Sequence, residues 1–433
     1  METFLLSLLV PLSTIPPRSL RICLCMSILR ALLISKLLSP VVGAGTSNLG
    51  VNYGMVADNL PPPNEVAELL KQISVSKTRI YSANSTVLMA FAYSGISVTV
   101  GIGNEDVSSL TDLFNAQQWV ETNIAQYYPA TDISGILVGN EVFSGDDSQL
   151  KNDLLPAMQN IYTALKNRGF ENDVFVSTPH SQAILSTSFP PSAGAFVPDI
   201  ASKYLAPMLK FLREIGSPFM VNPYPYFAYK ANPQTVSLQY ALSASTSLST
   251  ASQTVAASSI TTSVTDPNTG LIYYNLLDAE VDAVYAALEG LGYSDIKVVV
   301  SETGWPSVGD PDEAGATVQN AQAYNSNLIA RLERGQGTPA KPDVPLQAFI
   351  FAMFNEDLKP GPTSERHYGL FNPDGTPAYD FGLLPTSMSS PVDPYSVYYH
   401  MSSCASQLVT LSISLAITSF ITNCFLIQCS LLY

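Results

Sequence analysis

Glu302 stands where an apolar run stops. Val298, Val299 and Val300 precede it without a turn former, Ser301-Glu302-Thr303-Gly304 breaks the run, and Trp305-Pro306 closes it. Glu141 stands in the same position behind another apolar run, residues 133–138, inside Gly139-Asn140-Glu141. A carboxylate at the edge of an apolar wall is costly for an idle charge and suited to a working one, because burial and neighbours move its proton affinity. The plainer alternative for each is a strand-end glutamate held in a structural ion pair. Two such carboxylates facing each other can share out a reaction. The protonated one gives its proton to a leaving oxygen, and the ionised one attacks carbon or activates water. The sequence has three histidines and no cluster of metal-ligand type. The carboxylate pair is therefore the available machinery, and neither a cofactor nor a metal is expected.

Two glutamates this far apart in sequence need a repeating fold to bring them together. Between residues 49 and 380 the chain alternates short apolar runs with helical patterns. The runs are residues 49–53, 78–81, 97–102, 133–138, 174–177, 219–221, 298–300 and 346–351. Helical patterns lie between them at 64–73, 86–92, 107–128, 150–166, 203–215, 278–288 and 315–334. Apolar runs without polar alternation, each followed by a helix, mean parallel strands buried on both faces. Eight of them predict an α/β fold, a single-domain (β/α)8 TIM barrel. Such a barrel carries its working residues at the carboxyl ends of its strands. Here those ends are Tyr53, Tyr81, Asn140 with Glu141, Tyr224, Glu302, and Phe354 with Glu356. Aromatic side chains offer flat apolar faces to sugar rings, and Asn and Glu bind hydroxyls. Together with a carboxylate pair, that is the equipment for breaking a glycosidic bond. Trp305 is expected to pack in the interior. Residues 238–265 are almost all Ser, Thr, Ala and Val, ahead of the turn signal Asp266-Pro267-Asn268-Thr269-Gly270. They are expected to form a long Ser/Thr-rich loop between the sixth strand and the next helix.

Composition narrows the partners. The 433 residues carry a formal charge of -15 with only 13% charged side chains, which argues against nucleic acid or an anionic membrane surface and for a neutral substrate. All five cysteines lie near the two ends, so the central domain needs no disulfide framework. Residues 1–44 hold two apolar runs with arginines among them and end in Val42-Gly43-Ala44, the pattern of a signal peptide cleaved after Ala44. Met26 is an alternative start, which would make residues 1–25 an upstream extension. Residues 45–384 form the catalytic domain of this reading. Residues 385–407 are a spacer, with small residues at Ser387–Ser390 and at Ser402-Ser403-Cys404-Ala405. Residues 408–433 carry no charge, the outline of a tail removed on attachment of a glycosylphosphatidylinositol (GPI) anchor to the plasma membrane. An uncleaved transmembrane anchor is the alternative. Asn84-Ser85-Thr86 is the one N-glycosylation triplet. A monomer is the default.

Several segments in the right order carry a more specific signal. Gly50-Val51-Asn52-Tyr53-Gly54, Arg79-Ile80-Tyr81, Gly139-Asn140-Glu141-Val142, Asn222-Pro223-Tyr224-Pro225, residues 266–270, 301–307 and 351–361 together resemble the plant glucan endo-1,3-β-glucosidases of glycoside hydrolase family 17, over nearly all of residues 49–383. The resemblance implies a (β/α)8 barrel with an open groove, an endo-acting, retaining hydrolase of β-1,3-glucan; with the signal and anchor segments, the expected substrate is callose-like glucan of the cell wall and the expected place the outside of the cell. It implies that Glu302 is the nucleophile and Glu141 the proton donor, with Asn140 binding the sugar 2-hydroxyl. It further implies that Glu356, Lys359 and Glu365 support the charge state of the pair, and that Phe354 and Phe371 line the substrate groove, where the strand-end residues Tyr53, Tyr81 and Tyr224 are also expected to bind substrate. For such a pair the carboxyl groups lie about 5 to 5.5 Å apart. Two departures stand out. The cysteine-rich carbohydrate-binding module common after the family's barrel is missing, so the barrel is expected to hold the glucan unaided, and Asp357 stands where the family usually has asparagine. A cell-surface glucan-binding protein without turnover, and a hydrolase or transglycosylase of mixed-linkage glucan, are the competing readings.

Overall fold

The computed structural model describes residues 48–243, 263–385 and 388. The signal segment 1–44, the tail 408–433 and nearly all of the spacer 385–407 lie outside the described residues, as does the middle of the Ser/Thr-rich loop.

Nine strands form the main sheet. They are β1 (Leu49–Tyr53), β2 (Lys77–Ile80), β3 (Ser97–Ile102), β4 (Asp132–Val138), β5 (Phe175–Ser177), β6 (Pro179–Ser181), β7 (Phe219–Asn222), β8 (Val298–Thr303) and β9 (Ala348–Ile350), in the order β5-β4-β3-β2-β1-β9-β8-β7-β6. Every pairing in this sheet is parallel. The two edge strands are consecutive in sequence and only Thr178 separates them, so β5 pairs with β4, β6 pairs with β7, and the chain itself joins the two edges of a nearly closed barrel. One bent segment thus occupies the fifth place of an eightfold barrel. The expected strand at 174–177 is half of it.

Helices return the chain outside the sheet: α1 (Pro63–Gln72), α2 (Ser85–Ala90), α3 (Leu113–Val120), α4 (Ser148–Arg168), α5 (Ala206–Ile215), α6 (Pro225–Ala231), α7 (Leu276–Gly290) and α8 (Val318–Glu333). Their ends follow from side chains that satisfy the free amides of a first turn. Asn84 caps α2, Asp147 caps α4, and Asn275 caps α7. The amphipathic stretch 107–128 is not one helix, because Asp112 accepts from the amides of Phe114 and Asn115 and starts α3 afresh. Asp266 makes the expected turn. Its carboxylate accepts from the amides of Ser192, Asn268 and Thr269 and joins the short strands Val264–Thr265 and Ile272–Tyr273. Among the described residues no helix is long and apolar enough to cross a membrane.

The barrel interior is filled, and small residues make the room. A Cβ on Gly50 would lie 2.3 Å from the Phe349 ring, and one on Gly135 would lie 2.3 Å from the Phe175 ring. Phe349 packs with Leu137, Met220 and Val299, with Phe175 against them. This apolar layer separates the carboxyl ends of the strands, which carry the polar residues, from their amino ends.

Candidate active site

The carboxyl end of β8 delivers Glu302 with its side chain almost fully buried. Both its oxygens meet donors. Arg79 Nη1 donates to Oε1 at 2.8 Å, and the Tyr224 hydroxyl donates to Oε2 at 2.9 Å. Burial and the nearby Glu302 charge push the hydroxyls of Tyr224 and Tyr81 well above the usual phenol range, so both stay protonated and able to donate. A carboxylate accepting from an arginine and a phenol is held in one orientation.

Arg79 is the hub of the cluster. It lies within β2, 1% exposed, where a charge needs partners to be tolerated. Its second nitrogen donates to Asn140 Oδ1 at 2.8 Å, its first also reaches the Ser301 carbonyl at 3.3 Å, and its plane lies 4.5 Å from the Tyr81 ring centre. Asn52 Nδ2 donates to the Tyr81 hydroxyl at 2.9 Å and to the Ser301 carbonyl at 3.1 Å.

Glu141 follows β4 in a left-handed conformation, φ 52° and ψ 32°. That backbone is uncommon for a residue with a Cβ and costs on the order of 1 kcal/mol. Neighbours hold it there. Asn104 accepts from the Asn140 amide at 2.8 Å and donates to the Asn140 carbonyl at 3.0 Å, and the Glu141 amide donates to the Pro179 carbonyl at 2.9 Å. Its Oε1 accepts from Asn222 Nδ2 at 2.8 Å. Asn222 in turn accepts at Oδ1 from the Ser301 hydroxyl at 2.6 Å, so one asparagine links the two glutamate segments. Burial raises the Glu141 carboxyl above its ordinary range. The Glu302 and Glu365 charges add to this, while Asn222 and Arg79 oppose it. The two carboxyl groups are therefore kept different, with one clamped by donors and the other shifted toward its protonated form.

The loop after β9 brings the expected auxiliary groups together. Glu356 is buried and accepts from the Val56 amide at 2.8 Å; Gly54 leaves the space, since a Cβ there would lie 2.4 Å from its carboxylate. Burial raises Glu356, and Lys359 opposes. Lys359 lies 3.5 Å from Glu365 and 3.9 Å from the Phe351 ring centre. It is a buttressed cation and not a solvated surface lysine.

The aromatic expectations need correction. Phe354 and Phe371 are buried at 1% and 0% exposure and pack on each other, on Tyr53 and on Phe381. They offer no ring face to a sugar, because their strand-end position turns them into the wall. Tyr53 is 2% exposed. Tyr81 and Tyr224 keep partial exposure beside Glu302. Phe227, exposed next to Tyr224, is an aromatic that sequence reasoning passed over. Trp305 is fully buried, donates to the Gly315 carbonyl at 2.8 Å and packs on Tyr226 and Tyr324, as expected of a core residue. Asn84 is exposed and spends its side-chain oxygen on the α2 cap.

Arg79, Asn52 and Asn222 were also missed as members of the site. Arg79 had a signal: a guanidinium in the middle of a strand otherwise destined for burial. Glu313 had none. It accepts from Lys230 at 2.7 Å, from the Ser364 hydroxyl at 2.6 Å and from the amides of Ser364 and Asp310. These bonds tie together the segments after β7, β8 and β9. Among the described residues no group of acids, histidines or cysteines could hold a metal ion.

The family profile Glycosyl hydrolases family 17 matches residues 49–383. The chain is 46% identical to glucan endo-1,3-beta-glucosidase 11 of Arabidopsis thaliana over 340 residues, 78% of this chain and 76% of the relative. It is 47% identical to glucan endo-1,3-beta-glucosidase 10 of the same plant over 347 residues, 79% and 78% of the two chains. Among solved structures, CJP38, a beta-1,3-glucanase and allergen of Cryptomeria japonica pollen, superposes with a TM-score of 0.70 at 41% identity, covering 79% of this chain and 99% of that one.

Proposed function

This chain belongs to the glycosyl hydrolases of family 17, and from that membership we propose that it hydrolyses internal bonds of β-1,3-glucan with retention at the anomeric carbon. The observation that carries the assignment of roles is the difference between the two carboxyl groups. Glu302 accepts from Arg79 and Tyr224, while burial and the charges of Glu302 and Glu365 raise the Glu141 proton affinity.

In the first step Glu141 gives its proton to the glycosidic oxygen while Glu302 attacks the anomeric carbon. The old C–O bond breaks as a glycosyl ester forms on Glu302. In the second, Glu141, now ionised, takes a proton from water, which attacks the same carbon and frees Glu302. Asn140 Oδ1 already accepts from Arg79 and, at 3.4 Å, from Asn222. That leaves its Nδ2 to donate to the sugar 2-hydroxyl. Glu356, Lys359 and Glu365 tune the field at the pair, since Glu365 acts on Glu141 and Glu302 acts on Glu356.

A second proposal concerns place: residues 1–44 direct the chain to the secretory route, and residues 408–433 are exchanged for a GPI anchor at the outer face of the plasma membrane, beside the cell wall. The charge-free composition of that tail supports it. Release of the protein from membranes by a phosphatidylinositol-specific phospholipase C tests it, and retention after treatment rejects it.

The decisive experiment for the activity is a time course of product sizes from linear β-1,3-glucan and from mixed-linkage glucan, with the anomer of the first product read by NMR. A ladder of β-1,3 oligomers carrying the β anomer is expected. Products from mixed-linkage glucan alone, or the α anomer first, would replace the reading.

A further inference from the structure

A cavity of about 570 Å³ opens at the end of the barrel opposite the glutamates. Its wall is built from the amino ends of the strands: Lys77 begins β2, Ser97 begins β3, Phe175 begins β5, and Ser217, Lys297 and Gln347 stand just before β7, β8 and β9. Its floor is the apolar layer of Met220, Val299 and Phe349 with Phe175. The volume lies within the range of small-molecule sites, roughly 300 to 1,000 Å³.

The charges at this mouth run against the rest of the molecule. The chain has a net charge of -15 with only 20 lysines and arginines, yet Lys77, Lys297 and Arg213 line this one cavity against a single acid, Asp295. Arg213 is engaged already, with its plane 4.5 Å from the Tyr293 ring centre and a bond to the Gly292 carbonyl at 3.4 Å. Lys77 has its own interaction within the fold. Lys297 is partly buried, and the neighbouring charge that acts on it is Lys77, of like sign; burial first and then that repulsion lower its proton affinity. An anion beside the partly desolvated Lys297 would supply a charge-assisted hydrogen bond at this mouth. A neutral glucan bound at the far end of the barrel gives Lys297 no task.

We propose that the amino-terminal mouth of the barrel is a second binding site, for a small organic anion whose acidic group meets Lys297 and whose apolar body lies on Phe175, Met220, Val299 and Phe349.

The probe is 8-anilinonaphthalene-1-sulfonate, an anion with an apolar body, titrated by fluorescence into the purified full-length protein. The uncharged N-phenyl-1-naphthylamine is titrated in parallel. Expected are one saturable sulfonate site, weaker binding of the neutral analogue, and no displacement by a short β-1,3-glucan oligosaccharide. Lys297→Met, which keeps the apolar stem, should weaken sulfonate binding about tenfold, the equivalent of about 1.4 kcal/mol, and leave the neutral analogue unmoved. Ser134→Leu, which fills the cavity wall without touching charge, should weaken both probes. Glucanase activity reports that each variant is folded, since neither residue belongs to the glutamate site. The proposal is overturned by a lack of saturable binding, by displacement with oligosaccharide, or by an active variant of either kind that binds the sulfonate like the parent.

Discussion

Arg79 Nη1 lies 2.8 Å from Oε1 of Glu302, a buried ion pair between the middle of β2 and the carboxyl end of β8. The same guanidinium reaches Asn140 at 2.8 Å, next to Glu141. A planar fork therefore fixes the spacing of the two halves of the site, which a point charge cannot do. In Arg79→Lys the charge remains and the second bond is lost. We expect kcat to fall about 10²-fold, with KM changing far less, as for loss of one preorganised donor. Arg79→Met should cost more and lower stability too, because it strands a buried carboxylate. Wild-type kcat in Arg79→Lys would show that the fork only holds the fold.

Glu141 must be protonated to act as the acid, so activity should fall as pH rises through its raised pKa. The Glu365 charge is among the causes of that rise. In Glu365→Gln this contribution disappears and the alkaline limb of kcat/KM should move to lower pH. Asn222 works in the opposite sense, since its bond at 2.8 Å favours the ionised form. Asn222→Ala should move the limb upward while lowering kcat. Limbs that stay in place in both variants would detach Glu141 from the acid role.

Residues such as Val298 to Val300 made the barrel legible, because a parallel strand buried on both faces is written as an uninterrupted apolar run. The closure was not legible. It depends on Thr178 splitting one short segment between two pairing partners, which no local preference encodes. Glu302 and Glu141 could be found because each breaks a pattern. Asn222 could not be ranked, because its work is to bridge Glu141 and Ser301, a relation that exists only in three dimensions. Phe354 and Phe371 misled for the same reason, since the position of a ring at a strand end does not say which side of the wall it faces.

Glu313 joins Lys230 and Ser364, holding three loops at the carboxyl end of the barrel. Burial works to raise its pKa, but Lys230, Ser364 and the backbone amides outweigh this and hold it at about 2. The folded value lies below the unfolded one of about 4.3. Its contribution is thus present above that unfolded value and fades as pH falls toward the folded one. Glu313→Gln should lower Tm at pH 7 by several degrees, with the difference from wild type shrinking below pH 4. A difference independent of pH would mean that shape, and not charge, holds the loops.

Glu280 presents the opposite case. It lies on α7 outside the proposed mechanism, and burial pushes it up to about 8, with Oε2 lacking a partner among the described residues. With its folded value above the unfolded one, stability is full below about pH 4.3 and declines as pH rises to the folded value. The carboxyl is then a neutral acid at pH 5 and a growing liability at pH 8. Glu280→Gln keeps the shape and removes the titration. It should leave Tm unchanged near pH 4 and raise it by several degrees at pH 8, since about 1 kcal/mol corresponds to a few degrees in a chain of this size. Activity should be unaffected at pH 6. Equal Tm values for the two proteins across that range would mean that Glu280 reaches a charge partner or solvent when ionised.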